Sequence, residues 1–214
     1  MSSLKLVIGN KNYSSWSLRA WLAAKHAEVP FEENLIPLFQ ADSKAKLIQH
    51  SASGRAPVLV HNGFVIWDSL AISEYLAELF PERHFWPRDS FARAWARSIV
   101  AEMHSGFIPL RKAFRMDLKR VSQPVDAPEE ALKDVARIQD IWEQSRQQYG
   151  QSGPFLMGEY SLADMFYAPV VTRFVSYGIS LSPICLAYID TMIAHPHMQE
   201  WHQEAVKEPW VITW

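Results

Sequence analysis

Apolar residues Leu4, Leu6, Val7 and Ile8 form a run too short for a helical period, which predicts a buried strand over 4–10. Polar and hydroxyl residues then crowd together, and an alanine-rich apolar segment predicts a helix over 15–27. Phe31–Ile36 reads as a second strand and Ser43–His50 as a short helix. Pro57–Val60 and Phe64–Trp67 are β-rich runs flanking Asn62-Gly63, a dipeptide that tolerates the positive φ angles of a tight hairpin turn. From Asp68 to about Phe80 the pattern becomes helical, with Ile72, Tyr75, Leu76 and Leu79 on one face. The order βαβ then ββα predicts a small sheet with helices.

After residue 80 the strand signals stop. Pro81–Arg88 is bounded by prolines and reads as a linker. Ser90–Leu118 predicts a long helix interrupted at Pro109, because an interior proline removes a backbone donor. Further helices are expected over 128–149, 161–177, 184–194 and 196–206. The predicted organisation is an α/β unit over 1–80, a linker over 81–89 and an all-helical unit over 90–214.

Composition narrows the class. The chain has 214 residues, 49% of them hydrophobic, enough for packed cores and against disorder. A formal charge of −2 gives no electrostatic reason to expect nucleic acid. No apolar run reaches the length of a membrane span, and the short apolar amino terminus lacks a signal-peptide pattern. Cys185 is the single cysteine, so neither an internal disulfide nor a cysteine-based metal cluster is expected. These features suit a cytoplasmic protein with no metal.

Several stretches could carry chemistry. In Asn12-Tyr-Ser-Ser-Trp-Ser-Leu-Arg19, one Ser or Asn would suffice to cap the following helix, and the surplus hints at a site. In Gly54-Arg-Ala-Pro57 the proline opens a strand; by itself this favours the ordinary trans bond. Asp68-Ser69 at a helix start either caps it or holds a carboxylate and an ammonium group. Ser161-x-x-Asp164 matches a capping box and is read as structural. His104, Phe107 and Arg111, at spacings of three and four, would share one helical face, lining a substrate pocket or packing between helices. His195 and His197 are too constrained to make a metal site, and Trp201, Trp210 and Trp214 are expected to pack the carboxyl-terminal segment.

In this order and spacing the motifs resemble the cytosolic glutathione transferase family over nearly the whole chain. Tyr13-Ser-Ser-Trp-Ser-Leu-Arg19 and Asp68-Ser-Leu-Ala-Ile72 are most similar to the zeta class, with its Ser-Ser-Cys-Ser stretch. The resemblance implies a thioredoxin-like first domain, an all-helical second domain and a homodimer. It implies glutathione as cosubstrate, added to a hydrophobic electrophile in a detoxifying role. The Ala56–Pro57 bond would be cis, and the Ala56 backbone would pair with the cysteinyl part of glutathione. Ser69 would hold the γ-glutamyl carboxylate and Asp68 the γ-glutamyl amine. Arg55 is a further contact, and His50 a candidate for the glycyl carboxylate. Ser14 is the first candidate to activate the thiol and Ser15 the second, with Ser17 turned toward the helix interior. Trp16, Met103, His104, Phe107 and Arg111 would shape the electrophile pocket.

Trp16 stands where the zeta motif has cysteine, which argues against thiol transfer and changes the mouth of a zeta-like isomerase site. Such an isomerase would need cations for a dicarboxylate, and Arg111, Arg115 and Arg173 are candidates. A non-catalytic interaction module on the same fold is the rival outside enzymes.

Overall fold

The computed structural model describes residues 4–212; Trp214 lies outside them. Strand β1 (Leu4–Ile8) runs parallel to β2 (Glu32–Leu35) and antiparallel to β3 (Val58–His61), and β3 pairs antiparallel with β4 (Phe64–Trp67). The sheet order is β2-β1-β3-β4. Asn62 and Gly63, at φ 50° and 84°, make the tight turn that their sequence demands.

Side-chain alternation explains why β1 reads as continuously apolar. Leu4, Leu6 and Ile8 enter the main core with α1 (Ser15–His26) and α3 (Ser69–Leu79). Val7 points to the opposite face, where Ile36 and Val58 meet Leu47 of α2 (Ser43–Ile48). Both faces of the strand are therefore buried.

The rest of the chain is helical: α4 (Ser90–Ser105), α5 (Ile108–Ala113), α6 (Glu129–Tyr149), α7 (Leu162–Tyr177), α8 (Pro183–Ala194) and α9 (Pro196–Lys207). Helix α7 is its axis. Ser161 and Asp164 form the expected capping box at its start, and Gly178, at φ 62°, ends it. Helix α1 packs on α7 and α9, so the two halves share one continuous core.

The long helix expected over 90–118 breaks earlier than Pro109. The chain leaves α4 at Gly106, and Phe107 takes a left-handed conformation at φ 58°. A Cβ on Gly106 would meet the Glu102 carbonyl oxygen at 2.8 Å, so glycine permits the exit. Pro109 then sits in the first turn of α5, where its missing N–H costs nothing. His104, Phe107 and Arg111 consequently belong to two helices and a corner, not to one helical face.

Candidate functional site

The loop from β1 to α1 is fixed from several directions. The Ser14 amide donates to the Asn10 carbonyl at 2.8 Å, and Asn10 Oδ1 accepts from the Leu38 amide at 2.7 Å. The Asn12 side chain accepts from the amides of Leu118 and Lys119 and donates to Asp117 Oδ1. A further partner is Glu208, past the end of α9, whose carboxylate accepts from the amides of Lys11 at 2.6 Å and Asn12 at 3.1 Å. Trp201 donates to the Lys11 carbonyl, which confirms its packing role.

Ser14 caps α1: its Oγ accepts from the Ser17 amide at 3.3 Å and lies 2.8 Å from Ser17 Oγ. Ser17 Oγ also accepts from the Gly9 amide at 2.9 Å, so this side chain does turn inward. The two oxygens need one proton between them. Here Ser14 Oγ donates to Ser17 Oγ; rotation of both hydroxyls, so that Ser17 supplies the shared proton, would release the Ser14 proton for another acceptor. Ser14 and Ser15 are each 6% exposed.

A cavity of about 510 Å³ opens beside this turn, lined by Trp16, Ser53, Arg55, Ala56, Pro57, Trp67, Asp68 and Ser69. The Ala56–Pro57 bond is cis, contrary to the reading of the bare dipeptide and as the family resemblance implied. Asp68 holds φ 76°; its Oδ1 accepts from the Leu70 amide at 2.8 Å and caps α3. Its Oδ2 lies 3.4 Å from His104 Nε2, across from the helical half. Ser69 Oγ is fully buried without a hydrogen-bond partner among the described residues. A hydroxyl left in that state is costly, and a carboxylate accepting its proton would satisfy it.

The structure thus gathers Trp16, Arg55, Ala56, Pro57, Asp68 and Ser69 around one cavity. It leaves others aside. His50 lies 3.3 Å from Asn34 Nδ2 and does not line the cavity. Met103 and Phe107 are buried core residues, at 0% and 7% exposure, and do not line it either. His104 and Arg111 reach it indirectly, through contact with Trp16. Sequence reasoning missed Ser53 and Trp67, which line the cavity. The polar turn Ser51-Ala-Ser-Gly54 just before Arg55 was the available signal for Ser53.

It also missed Arg19. This side chain is fully buried, and its Nε donates to the Phe166 carbonyl of α7 at 3.1 Å. Its guanidinium stacks 4.8 Å from the Trp16 ring and 5.0 Å from that of Phe166. Arg111 lies 5.0 Å from the Trp16 ring, and His104 meets the same ring edge-on at 5.1 Å. Arg173 of α7 lies behind them, also buried. Burial and mutual repulsion hold Arg19 well below the usual guanidinium range and Arg173 at about 9. Burial likewise lowers Arg111 and His104, the latter against the opposing pull of Asp68.

Comparison with known proteins places this geometry. The glutathione S-transferase N-terminal domain profile matches residues 13–79, and the C-terminal domain profile matches 93–204. A probable maleylacetoacetate isomerase of Caenorhabditis elegans is 30% identical over 86% of this chain and 85% of its own length. A maleylacetoacetate isomerase of Rattus norvegicus is 32% identical over 79% and 77%. A crystal structure of a glutathione transferase homolog from Burkholderia GL BGR1, with bound glutathione, superposes at TM-score 0.73 with 25% identity. It covers 96% of this chain and 100% of that one. The thioredoxin-like α/β half and the helical half match together and in order, and the chain belongs to the glutathione S-transferase family.

Proposed function

We propose that the protein is a glutathione transferase that adds the glutathione thiolate to an electrophile held between the sheet-bearing half and the helices. The observation that carries this reading is the cavity walled by Ala56, Pro57 and the start of α3, with the Ser69 hydroxyl buried and without a hydrogen-bond partner among the described residues. In this reading Ser69 and the α3 amino terminus take the γ-glutamyl carboxylate, Asp68 the γ-glutamyl amine, and the Ala56 backbone the cysteinyl part. Arg55 and Ser53 stand at the rim for the remainder of the peptide.

Thiol activation falls to the first turn of α1. A thiol has a pKa of about 8.5, and lowering it by two units requires about 2.7 kcal/mol of preferential thiolate stabilisation. A hydrogen bond to a charged group contributes about 1.5–3 kcal/mol, and the helix end adds to it. Ser14 is the donor in this reading, with Ser17 lending the proton that frees it; Ser15, beside it, is the alternative. A homodimer and a cytoplasmic location belong to the same proposal.

The test is the conjugation rate of glutathione with an aryl halide such as 1-chloro-2,4-dinitrobenzene. Ser14→Ala is expected to keep glutathione binding and lose most of the rate. An unchanged rate with Ser14→Ala and a lost one with Ser15→Ala would transfer the role.

A second reading is isomerisation of an unsaturated acid by addition, rotation and elimination, favoured by the names of the two isomerase relatives. Turnover without net loss of glutathione distinguishes it. Trp16, in place of the cysteine of the zeta motif, weighs against it.

A further inference from the structure

We propose that His104 is a positioning residue for glutathione: from α4 its imidazole holds the Asp68 carboxylate toward the γ-glutamyl amine, so that the helical half helps to select the amino-acid head of the peptide. The proposal rests on the transferase reading and deepens it at the start of α3.

The Asp68 carboxylate is fixed on one side. Its Oδ1 accepts from the Leu70 amide at 2.8 Å, while Oδ2 faces His104 Nε2 at 3.4 Å. The backbone beneath it stands at φ 76°, a costly conformation for a residue with a β-carbon, which persists where the surroundings hold it. Backbone and one oxygen thus set where Asp68 sits, and the direction of Oδ2 is left to the group that faces it. Asp68 is the one acid among the residues that line the cavity, and its side chain is 44% exposed, within reach of a ligand. The next residue, Ser69, offers its buried and unpartnered hydroxyl. An α-amino acid carries its carboxylate and its ammonium on one carbon. A head held by Ser69 through the carboxylate therefore presents its ammonium close by, on the Asp68 side.

His104 stands in the last turn of α4, just before the Gly106 corner, with its side chain 23% exposed. The Trp16 ring of α1 meets the imidazole edge-on at 5.1 Å and the Phe166 ring of α7 lies 6.1 Å away, so the imidazole is held between two helices. Its Nδ1 is buried without a hydrogen-bond partner among the described residues. An imidazolium would bury an N–H there with no acceptor. The neutral form with its hydrogen on Nε2 fits, and that hydrogen is the one facing Asp68. Burial lowers the imidazole against the pull of Asp68, and Arg19 and Arg111 add to the lowering. Neutrality matters for the task. An imidazolium would compete with the ligand's ammonium for one carboxylate, whereas a neutral N–H orients the carboxylate and leaves its charge for the ligand. The 3.4 Å separation is longer than a formed N–H···O bond, and in this proposal it closes when the amine binds.

The probes are glutathione and glutaryl-cysteinyl-glycine, the same peptide with its α-amino group replaced by hydrogen. Both keep the thiol and both carboxylates, and only the first carries the ammonium. Calorimetric Kd values are compared for the wild type and for variants whose thermal unfolding shows them folded. The wild type is expected to prefer glutathione by roughly tenfold or more. His104→Asn, whose amide falls short of the Nε2 position, should weaken glutathione by about five- to tenfold and leave the analogue within about twofold. His104→Gln, whose amide reaches that position, should recover most of the loss. Adding His104→Asn to Asp68→Asn should cost little further, because the two residues act through one contact. Should His104→Asn fail to fold, His104→Leu carries the same comparison.

Equal weakening of both ligands by His104→Asn, or weakening of neither, overturns the proposal and leaves the transferase reading intact. A His104→Gln variant as weak as His104→Asn also overturns it, since the imidazole would then act by its packing on Trp16 and not as a donor. A wild type that binds the two ligands alike shows that Asp68 takes no ammonium, and His104 loses its role while the thiolate chemistry stands. Failure of the wild type to bind either ligand sinks the transferase reading itself, and this proposal with it.

Discussion

Replacing Ser69 by alanine would push stability and binding in opposite directions. The hydroxyl oxygen is buried and unpartnered, while the Ser69 carbonyl accepts from Ser73 Oγ at 2.8 Å and the Asp68 cap on Leu70 is independent of it. Removing an unsatisfied buried polar group relieves a cost of about 1–3 kcal/mol, and alanine is also the better helix former. A gain of about 1–2 kcal/mol in a domain of this size is a rise in Tm of roughly 2–8 °C. If the same hydroxyl donates to a ligand carboxylate, its loss costs about 1.5–3 kcal/mol of binding, or roughly 10- to 150-fold in Kd. The assays are thermal unfolding without glutathione and calorimetric titration with it. A variant that melts several degrees lower and binds glutathione within twofold of wild type would refute the reasoning. The hydroxyl would then be structural, with a partner that the unliganded geometry does not reveal.

Ser17→Ala should leave the Gly9 amide without its acceptor and Ser14 without its partner. A loss of about 1–3 kcal/mol in stability is expected, together with a fall in kcat; unfolding curves and steady-state rates check both. Glu208→Ala uncovers the amides of Lys11 and Asn12, so we expect a destabilisation of about 2–4 kcal/mol and slower conjugation. Stability lost with an unchanged rate would show that the carboxyl-terminal tie does not position Ser14. Asp164 is pushed up to about 6 by burial, from an ordinary 3.8, against the opposing amide bonds of Leu156 and Ser161. Its folded form therefore keeps a proton that the unfolded chain has released between about pH 4 and 6. The stability it contributes is fully present below that window and lost as pH rises through it, on the order of 3 kcal/mol. Asp164→Asn should flatten that slope in Tm measured from pH 4 to 7; parallel curves would show that Asp164 does not titrate there.

Local pattern in the chain determined a good deal. The strand at 4–8, the Asn62-Gly63 hairpin, the helix starts at Ser14, Asp68 and Ser161, and the all-helical character after residue 90 follow from periodicity, turn chemistry and capping. Each depends on neighbours within a few positions, which is the range over which sequence patterns act. The position of the break after α4 did not follow. Proline is a conspicuous interruption, yet the left-handed corner at Phe107 depends on how α5 docks against Asp134 of α6 through the Leu110 amide.

The cationic group is the clearest case of a feature decided by tertiary structure. Arg19 sits three residues after Trp16, and in sequence it is an ordinary charge on an amphipathic helix. Packing of α1 against α7 places it beneath Trp16, while the Gly106 corner brings Arg111 to the same ring. Ala56, Asp68 and Ser69, which line the cavity, stand at a turn and a helix start, where the local pattern alone favoured a trans proline and a helix cap; the family resemblance was needed to read them as a candidate site. Which arginines lose their solvent, and which ring covers them, depends on contacts between segments as much as 147 residues apart, and no local pattern encodes these.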